Sequence, residues 1–324
     1  MSRTGFVHQA LCYGSDDEFL EGALEFARDG LAADDAVLAV VRDHHIALLE
    51  EALGPRTGDV AFVDAGDWSG CPSRTLSQYH AYGADHGTDR RVRVIGEPVW
   101  AGRTEFEVRA WMRCESLLNV AFAHSAHWIL CPYDTRTVPA DVVRTATRTH
   151  PELALGARTS APSGHDADPA DLSAERDAAR ASAPLSDACD VIRFARGGSA
   201  AVRAALTAYA RRSGMPERRT YDMVAAVHEA VVNAVRFGGG GGVLRLRSDP
   251  DYVICEVADH GAPNSATLAS FPGRLLPDAR AAAGHGMWVV RQLSDLVAED
   301  LGPTGSTVRM YFRRPGDVNR PPAG

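Results

Sequence analysis

The feature that most constrains the fold is an alternation, from residue 6 onward, of apolar strand-like runs with amphipathic helical runs. Helical runs such as "DDEFLEGALEFARDGL" carry apolar residues three and four positions apart, the spacing that builds one helix face. The run "AVLAVV" is wholly apolar, as in a strand buried on both faces of a sheet. Alternating strands and helices build a mainly parallel sheet covered by helices, so we predict an α/β domain over residues 1–152. Its strands are expected at 6–14, 36–41, 59–64, 91–98 and 127–134.

The order of elements changes in the second half of the chain. Residues 153–187 are rich in Ala, Ser, Asp and Pro and poor in large apolar residues, a composition that indicates a linker. Beyond it, one strand and two helices precede two strands that are joined by a short "DPD" turn. So short a turn pairs strands antiparallel, and we expect an α+β sandwich over residues 188–316 and a tail at 317–324.

Charge and hydropathy narrow the range of functions. The formal net charge of −8 provides no sequence-wide basic field, which argues against direct nucleic-acid binding as the main activity. The first residues lack the features of a signal peptide, and no stretch approaches 18 uninterrupted apolar residues, so we expect no membrane insertion and a cytoplasmic location.

The 6 cysteines are scattered singly without a CxxC pair, which indicates reduced, packed thiols rather than a disulfide framework. One segment, "HSAHWILC", places His124, His127 and Cys131 close together, a spacing that could serve a soft metal. The alternative is that these residues pack beside a buried strand.

Parallel sheets bind ligands beyond the carboxyl ends of their strands, which here are marked by Tyr13, Asp64, Glu97, Trp100 and the corner at 131–134. The loop after the first strand, "YGSDDEF", contains neither of the common glycine-rich phosphate-binding patterns. We therefore expect a ligand site at this edge but no nucleotide hydrolysis in the first domain.

The run "HEAVVNAVRFGGGGG" carries the main chemical signal of the second domain. Glu229 and Asn233 are one helical turn apart, so both project from the same side of a helix. A carboxylate can orient a hydroxyl or water while a carboxamide oxygen ligates Mg²⁺, although a solvated helix face would also carry such a pair. The five glycines at 238–242 lack the Lys and the helix of a phosphate loop, and we interpret them as a loose connection.

Three further features follow in order along the chain. Asp259 ends the strand "YVICEVAD" and is followed by "HG". The segment "GHGMW" places two glycines before a helix, whose free amides suit a phosphate. Finally, "GPTGSTVRM" brings Thr307 onto a strand after a glycine turn. The order of these boxes is more specific than any single one.

Together the boxes resemble the GHKL (Bergerat) ATPase family, and within it the small serine kinase anti-sigma factors of the RsbW and SpoIIAB kind, over roughly residues 186–316. The resemblance implies Glu229 as the general base and Asn233 as the ligand of Mg²⁺. It implies that Asp259 contacts the adenine amino group and that Gly261 permits a close backbone approach. The other residues that it assigns to ATP are Gly284, His285, Gly286 and Met287 around the triphosphate and Thr307 near the adenine. Segment 262–283 corresponds to the mobile lid of the family.

The first domain resembles the MEDS sensory domain, a module named for methanogens, methylotrophs and the DcmR regulator. The matching stretches include "FVHQALCYGSDDEFL", "VRVIGEPVW", "RCESLLNVAF" and "ILCPYDT". The resemblance implies a small-molecule ligand. The residues that we expect to line its pocket are His8, Tyr13, Glu97, Trp100, Arg113, Glu115 and Asn119.

Three functions are compatible with these resemblances. In the first, the second domain is a serine/threonine kinase, with a STAS-domain anti-anti-sigma factor as substrate and a sigma factor as partner. The second is a binding module without phosphoryl transfer, since Pro263 replaces the second glycine of the family's DxGxG box. The third is a sensor histidine kinase, but in the linker only His165 could accept a phosphoryl group, and no apolar stripe surrounds it. A homodimer is a further expected partnership.

Overall fold

The apolar runs of the first half of the chain become neighbouring strands of one sheet. The computed structural model describes residues 5–68, 71–86, 90–155, 159–162, 181, 185, 189–261, 273–277, 285–302 and 304–315. The chain divides into a first unit, Met1–Leu172, and a second unit, Ser173–Gly324. The strands of the first unit are β1 (Val7–Tyr13), β2 (Ala36–Val41), β3 (Val60–Asp64), β4 (Val92–Gly96), β5 (Trp128–Asp134), β6 (Glu152–Leu155) and β7 (Thr159–Pro162).

The seven strands are arranged in the order β3-β2-β4-β5-β1-β6-β7. Pairing is parallel from β3 to β6, and β7 alone is antiparallel, to β6. Every residue of β2 is buried, as predicted for a strand covered on both faces. The predicted α/β class with a mainly parallel sheet is therefore confirmed.

Helices cover this sheet. They are α1 (Asp16–Ala32), α2 (Asp43–Leu53), α3 (Ala65–Trp68), α4 (Pro72–Asp85), α5 (Glu105–Ala121) and α6 (Ala140–Thr149), with a short 3₁₀ helix at Gly54–Asp59. Helix α5 begins with a capping box, in which the Thr104 side chain accepts from the Glu107 amide and the Glu107 carboxylate accepts from the Thr104 amide. This start fixes the phase of α5, and its later turns carry Glu115 and Asn119 toward the sheet.

The predicted linker contains two strands that its composition did not indicate. Strand β6 pairs with β1, and β7 pairs with β6. Gln9 also donates a hydrogen bond from Nε2 to Glu152 Oε2 at 2.9 Å. The ladder forms because β1 offers unpaired backbone groups on that side, and backbone pairing needs no apolar pattern. Apart from 181 and 185, the rest of the predicted linker and the predicted tail lie outside the described residues.

The second unit is an antiparallel sheet with helices packed on it. Its elements are β8 (Asp190–Ala195), α7 (Ser199–Arg212), α8 (Glu217–Phe237), β9 (Gly241–Ser248), β10 (Tyr252–Ala258), α9 (His285–Leu293), β11 (Leu296–Gly302) and β12 (Gly305–Arg313). The strand order is β11-β12-β10-β9-β8, and each neighbouring pair is antiparallel. Leu206 of α7, Val227 of α8 and Val290 of α9 share one core with Leu244 and Met310 of the sheet. The predicted α+β sandwich is confirmed, whereas β11 was not predicted.

Within the described ranges, no helix combines the length and the apolar character that crossing a membrane requires.

A buried ion pair joins two central strands of the second unit. Glu256 on β10 lies opposite Arg309 on β12, and both are about 95% buried, at 4% and 5% exposure. Arg309 Nε donates to Glu256 Oε2 at 3.0 Å, and Arg245 Nη1 donates to Glu256 Oε1 at 2.7 Å. Arg309 also donates from Nη2 to the carbonyl of Ala181 at 3.0 Å.

Replacing Arg309 by Met should lower the free energy of unfolding by about 3 kcal/mol, because the buried Glu256 carboxylate loses its buried cationic partner. Replacing Arg245 by Met should cost less than about 1 kcal/mol, since the Arg245 side chain is 36% exposed. Urea unfolding of the full chain measures both costs, and hydrogen exchange of β10 assigns the loss to the second unit. Equal costs would contradict the assigned role of Arg309.

Candidate functional site

The two polar residues of the helical run meet the start of another helix. Glu229 and Asn233 lie on α8, and Gly286 lies in the first turn of α9. A Cβ added to Gly286 would lie 3.1 Å from Glu229 Oε2 and 3.2 Å from Asn233 Nδ2. The first turn of α9 therefore lies close to both side chains, although more than fifty residues separate them in sequence. A larger residue at position 286 would require these two side chains to shift.

The position of Glu229 and Asn233 follows from how α8 packs. Its apolar face is buried against the sheet through Met223, Ala226, Val227, Ala230 and Val231. Glu229 and Asn233 lie beside that face and are half-buried. They are thus partly desolvated but remain accessible to a ligand.

Asp259 follows the end of β10 and is held by backbone amides. Its Oδ1 accepts hydrogen bonds from the Gly261 amide at 2.8 Å and from the Ser306 amide at 3.2 Å. Its Oδ2 faces Gly238, where an added Cβ would lie 2.5 Å away. The carboxylate therefore has a fixed orientation, as an acceptor for an exocyclic amino group requires.

The run of five glycines is a packed element, so our interpretation of it as a loose connection was wrong. Gly238 contacts Asp259, and a Cβ on Gly239 would lie 2.7 Å from the carbonyl oxygen of Gly261. Gly241 and Gly242 belong to β9 and pair with β8. Successive glycines between a helix and a strand can indicate that another segment packs closely against the backbone, and this possibility was missed in the sequence.

The remaining residues assigned to the nucleotide surround the same region. Thr307 on β12 pairs with Ala258, the residue before Asp259, and is half-buried. His285 and Met287 are half-buried in the first turn of α9. Gly284 and Pro263 lie outside the described residues.

Part of the predicted lid is described, at residues 273–277. Gly273 has a φ of +67°, and a Cβ there would lie 2.2 Å from the Met287 carbonyl carbon. Next to it, Arg274 Nη2 lies 3.2 Å from Glu299 Oε1, and the buried Arg291 also pairs with Glu299. This part of the lid is therefore held against α9 and β11.

The two ends of this site carry different chemical groups. A fixed carboxylate lies at the Asp259 end. At the other end, a carboxylate and a carboxamide lie against the N-terminal turn of α9, whose amides favour an anion. The Asn233 amide oxygen is a suitable ligand for a hard cation such as Mg²⁺. The arrangement thus offers a hydrogen-bond acceptor at Asp259, and a candidate base and a candidate cation ligand at Glu229 and Asn233, beside amides that favour an anion.

In the first unit, a polar cluster lies at the carboxyl ends of the strands. Glu97 is buried and accepts hydrogen bonds from Arg42 Nε at 2.7 Å and from Tyr13 Oη at 3.2 Å, and its Oε2 lies 2.7 Å from His45 Nδ1. Arg42 Nη2 also lies 3.4 Å from Asp134 Oδ2. Tyr13, Glu97 and Asp134 were predicted at this edge. Arg42 and His45 were missed, although Arg42 directly follows β2 and His45 lies in the first turn of α2.

The carboxyl groups of this cluster have lowered pKa values. Burial alone would raise the pKa of Glu97, but the hydrogen bond to His45 and the charges of His45 and Arg42 outweigh it and lower that pKa. A hydrogen bond from Arg136 lowers the pKa of Asp134 to about 2. In the same cluster, burial and the charge of Glu97 raise the pKa of Tyr13.

The first unit should therefore lose stability as the pH falls below about 4. A carboxyl group whose pKa is lower in the folded state contributes stability above its unfolded pKa, which is 3.8 for Asp134. That contribution is lost as the pH falls through the folded value of about 2. Asp134→Asn should flatten the pH dependence of unfolding by urea between pH 4 and 2. An unchanged slope in Asp134→Asn would contradict the assignment.

Five of the seven residues predicted for one sensory pocket divide between two clusters. Tyr13 and Glu97 belong to the polar cluster just described. His8, Glu115 and Asn119 belong to a second cluster, in which His8 Nδ1 lies 2.9 Å from Asn119 Oδ1 and His8 Nε2 lies 3.9 Å from Glu115 Oε2. One residue of each cluster, Glu97 and Glu115, lines the same small cavity.

The other two predicted pocket residues are both buried. The Trp100 ring stacks with Tyr133 at a centroid distance of 6.1 Å, and Arg113 lies on α5. The hydroxyl of Tyr133 donates to Glu115 at 3.3 Å, so Trp100 borders the second cluster.

The predicted grouping of His124, His127 and Cys131 is not formed. His124 is exposed, and the ring of His127 packs on Phe122 with centroids 4.8 Å apart. Burial, together with the nearby His80, lowers the pKa of His127 to about 4. Cys131 points instead toward His8, with Sγ 3.5 Å from Nε2. Of the three residues, Cys131 alone lies on β5, whereas His124 and His127 lie in the segment between α5 and β5.

Comparison with known proteins gives two family matches. Residues 7–151 match the family described as MEDS, "MEthanogen/methylotroph, DcmR Sensory domain", and residues 197–312 match "Histidine kinase-like ATPase domain". These matches confirm the resemblance to the MEDS domain and the resemblance of the second unit to an ATPase domain of the histidine kinase-like type. No curated protein matches the chain.

Among solved structures, the chain is similar to the crystal structure of the RsbU and RsbW domains of Rv1364c from Mycobacterium tuberculosis. The identity is 20%, with a TM-score of 0.29, over 39% of this chain and 34% of that chain. The chain thus spans about a third of the length of that structure.

Proposed function

We propose that this chain, a MEDS sensory domain followed by a histidine kinase-like ATPase domain, is an ATP-dependent serine/threonine protein kinase of the anti-sigma factor type. A small molecule bound by the MEDS domain controls the kinase. The observation that carries the proposal is the close approach of Gly286 to both Glu229 and Asn233. This approach brings a candidate base and a candidate metal ligand next to the first turn of α9.

The residues of the second unit fit ATP and Mg²⁺. Asp259 would accept from the adenine amino group, Gly261 would allow the base to approach, and Thr307 would contact it from β12. The amides before α9 would bind the phosphates, and Asn233 would hold Mg²⁺, which neutralises phosphate charge when bound.

Glu229 would accept the proton of the substrate hydroxyl. The hydroxyl oxygen then bonds to the γ-phosphorus as the bond to the ADP oxygen breaks, and ADP leaves with that electron pair. The half-buried position of Glu229 suits this role, because the carboxylate is partly desolvated and still reaches a ligand.

The proposed partners are a sigma factor and a STAS-domain anti-anti-sigma factor. They follow from the sequence resemblance to the RsbW and SpoIIAB kinases. A second copy of this chain is a further proposed partner. The net charge of −8 supports a protein partner over direct binding to nucleic acid.

A binding module without catalysis is the second candidate. It is favoured by Pro263, which stands where the family has a glycine and limits the backbone beneath the nucleotide. In that case the second unit would sequester its partner without modifying it.

The test begins with calorimetric titration of the full chain by ATP and Mg²⁺. The protein is then incubated with γ-labelled ATP and candidate STAS-domain and sigma-factor partners. The kinase proposal expects Mg²⁺-dependent nucleotide binding and label on a serine or threonine of the partner. Nucleotide binding with partner association but no label would favour the binding module. No nucleotide binding and no label would refute the kinase.

A further inference from the structure

Four potential metal ligands converge in the core of the first unit. They are His8 on β1, Glu115 on α5, Cys131 on β5 and His150 directly after α6, and all four are buried. One ligand atom from each lies within 4.8 Å of the others. His8 and Cys131 face the same side of the sheet, because His8 pairs with Ile129, two residues before Cys131.

Three of the separations between donor atoms are close to those of a tetrahedral site. Metal-to-ligand distances of about 2.0 to 2.3 Å place the ligands of a tetrahedral zinc ion about 3.3 to 3.8 Å apart. Here Cys131 Sγ lies 3.5 Å from His8 Nε2, and His150 Nε2 lies 3.5 Å from Glu115 Oε2. His8 Nε2 lies 3.9 Å from Glu115 Oε2. The donor atoms are therefore close to positions that one ion would occupy in common.

Outer hydrogen bonds orient both imidazoles for ligation. The Nδ1 atom of His8 lies 2.9 Å from Asn119 Oδ1, and Asn119 Nδ2 donates to the Thr149 carbonyl at 2.7 Å. The Nδ1 atom of His150 lies 2.8 Å from the Ala146 carbonyl. An Nδ1–H that donates to a carbonyl leaves the Nε2 lone pair to face the cluster, as in histidines that bind metals.

Charge and donor type indicate the class of ion. A carboxylate, a thiolate and two neutral imidazoles carry a formal charge of −2, which a divalent cation neutralises in this buried setting. Sulfur and imidazole nitrogen select zinc and neighbouring transition metals over Mg²⁺ and Ca²⁺. Four protein ligands fit tetrahedral zinc.

We propose that the MEDS domain of this chain contains a buried zinc-type site formed by His8, Glu115, Cys131 and His150. The ion links β1, β5, α5 and the end of α6. This site is independent of the nucleotide region of the second unit.

The test uses the full chain, purified without metal-affinity columns. Elemental analysis should give about one zinc-class ion per chain, and the stripped protein should rebind Zn²⁺ and Co²⁺ with the same stoichiometry. Co²⁺ should produce visible bands of a tetrahedral ion and a near-ultraviolet thiolate charge-transfer band. Cys131→Ser should remove the charge-transfer band, whereas Cys114→Ser, a matched buried thiol on α5, should retain it.

Asn119→Ala serves as the milder variant, because it keeps all four ligands. It should weaken metal binding by about 10- to 100-fold through the loss of the His8 contact. A stripped chain that binds neither Zn²⁺ nor Co²⁺ would overturn the proposal and leave the cluster as a hydrogen-bond network. Equal spectra for Cys131→Ser and Cys114→Ser would also overturn it. None of these measurements involves ATP, so their failure is distinct from failure of the proposed kinase.

Discussion

Glu229→Gln should reduce phosphoryl transfer to the partner by about 10²- to 10⁴-fold, because glutamine cannot accept the proton of the attacking hydroxyl. Affinity for ATP should change little, since the substitution keeps the shape of the side chain beside Gly286. Single-turnover transfer of labelled phosphate measures the first effect, and calorimetry measures the second.

Glu217→Gln is the matched control on the same helix. Glu217 lies in the first turn of α8 and accepts a hydrogen bond from Tyr221, away from Gly286. The control should transfer phosphate at the wild-type rate. If Glu229→Gln also kept the wild-type rate, Glu229 could not be the base. If regulation in cells survived the substitution while ATP remained bound, the binding module would be the better description.

Gly238→Ala should weaken ATP binding by about 10- to 100-fold. The φ of Gly238 is −104°, which alanine adopts without strain, so space alone decides the outcome. A Cβ there would lie 2.2 Å from Asp259 Cγ and would force the carboxylate away from the Gly261 and Ser306 amides. The loss of an oriented, charged acceptor costs about 1.5 to 3 kcal/mol of binding free energy.

Gly240→Ala separates this effect from general damage to the glycine run. Gly240 has a φ of +94°, but a Cβ there would meet nothing within 4 Å. The substitution should therefore lower the free energy of unfolding through backbone strain of about 1 to 3 kcal/mol while ATP binding persists. Calorimetry and urea unfolding of both variants decide the matter. Equal affinities for ATP would show that Asp259 does not depend on Gly238.

The elements that were predicted from the sequence are those with a local pattern of apolar residues. The wholly apolar β2 and the stripe of α8 are such cases, because burial acts on side chains and leaves a local pattern. Strands β6 and β7 leave no such pattern. They form through backbone hydrogen bonds to β1, which any sequence can make once the neighbouring strand is in place.

In the candidate sites, too, local patterns could be predicted from the sequence and contacts between distant segments could not. The spacing of Glu229 and Asn233 was readable, since one helical turn fixes their common side. The close approaches of Gly238 to Asp259 and of Gly286 to α8 join segments that are distant in sequence. They could therefore not be predicted from a local pattern. His150 was missed for a related reason: it ends a helix in "RTHPE", and only the packing of α6 carries it to His8 and Glu115.

The short distance along the chain between His150 and β6 has a mechanical consequence. Only Pro151 separates the imidazole from Glu152, the first residue of β6, and its ring removes one rotational freedom from that connection. The connection between His150 and β6 is therefore short and restricted, which ties the position of the imidazole to the start of the strand. Strand β6 is joined through one hydrogen-bonded ladder to β7, the strand from which the chain continues toward the second unit. His150, a proposed metal ligand, is thus joined through one restricted residue to the pair of strands that ends the described part of the first unit.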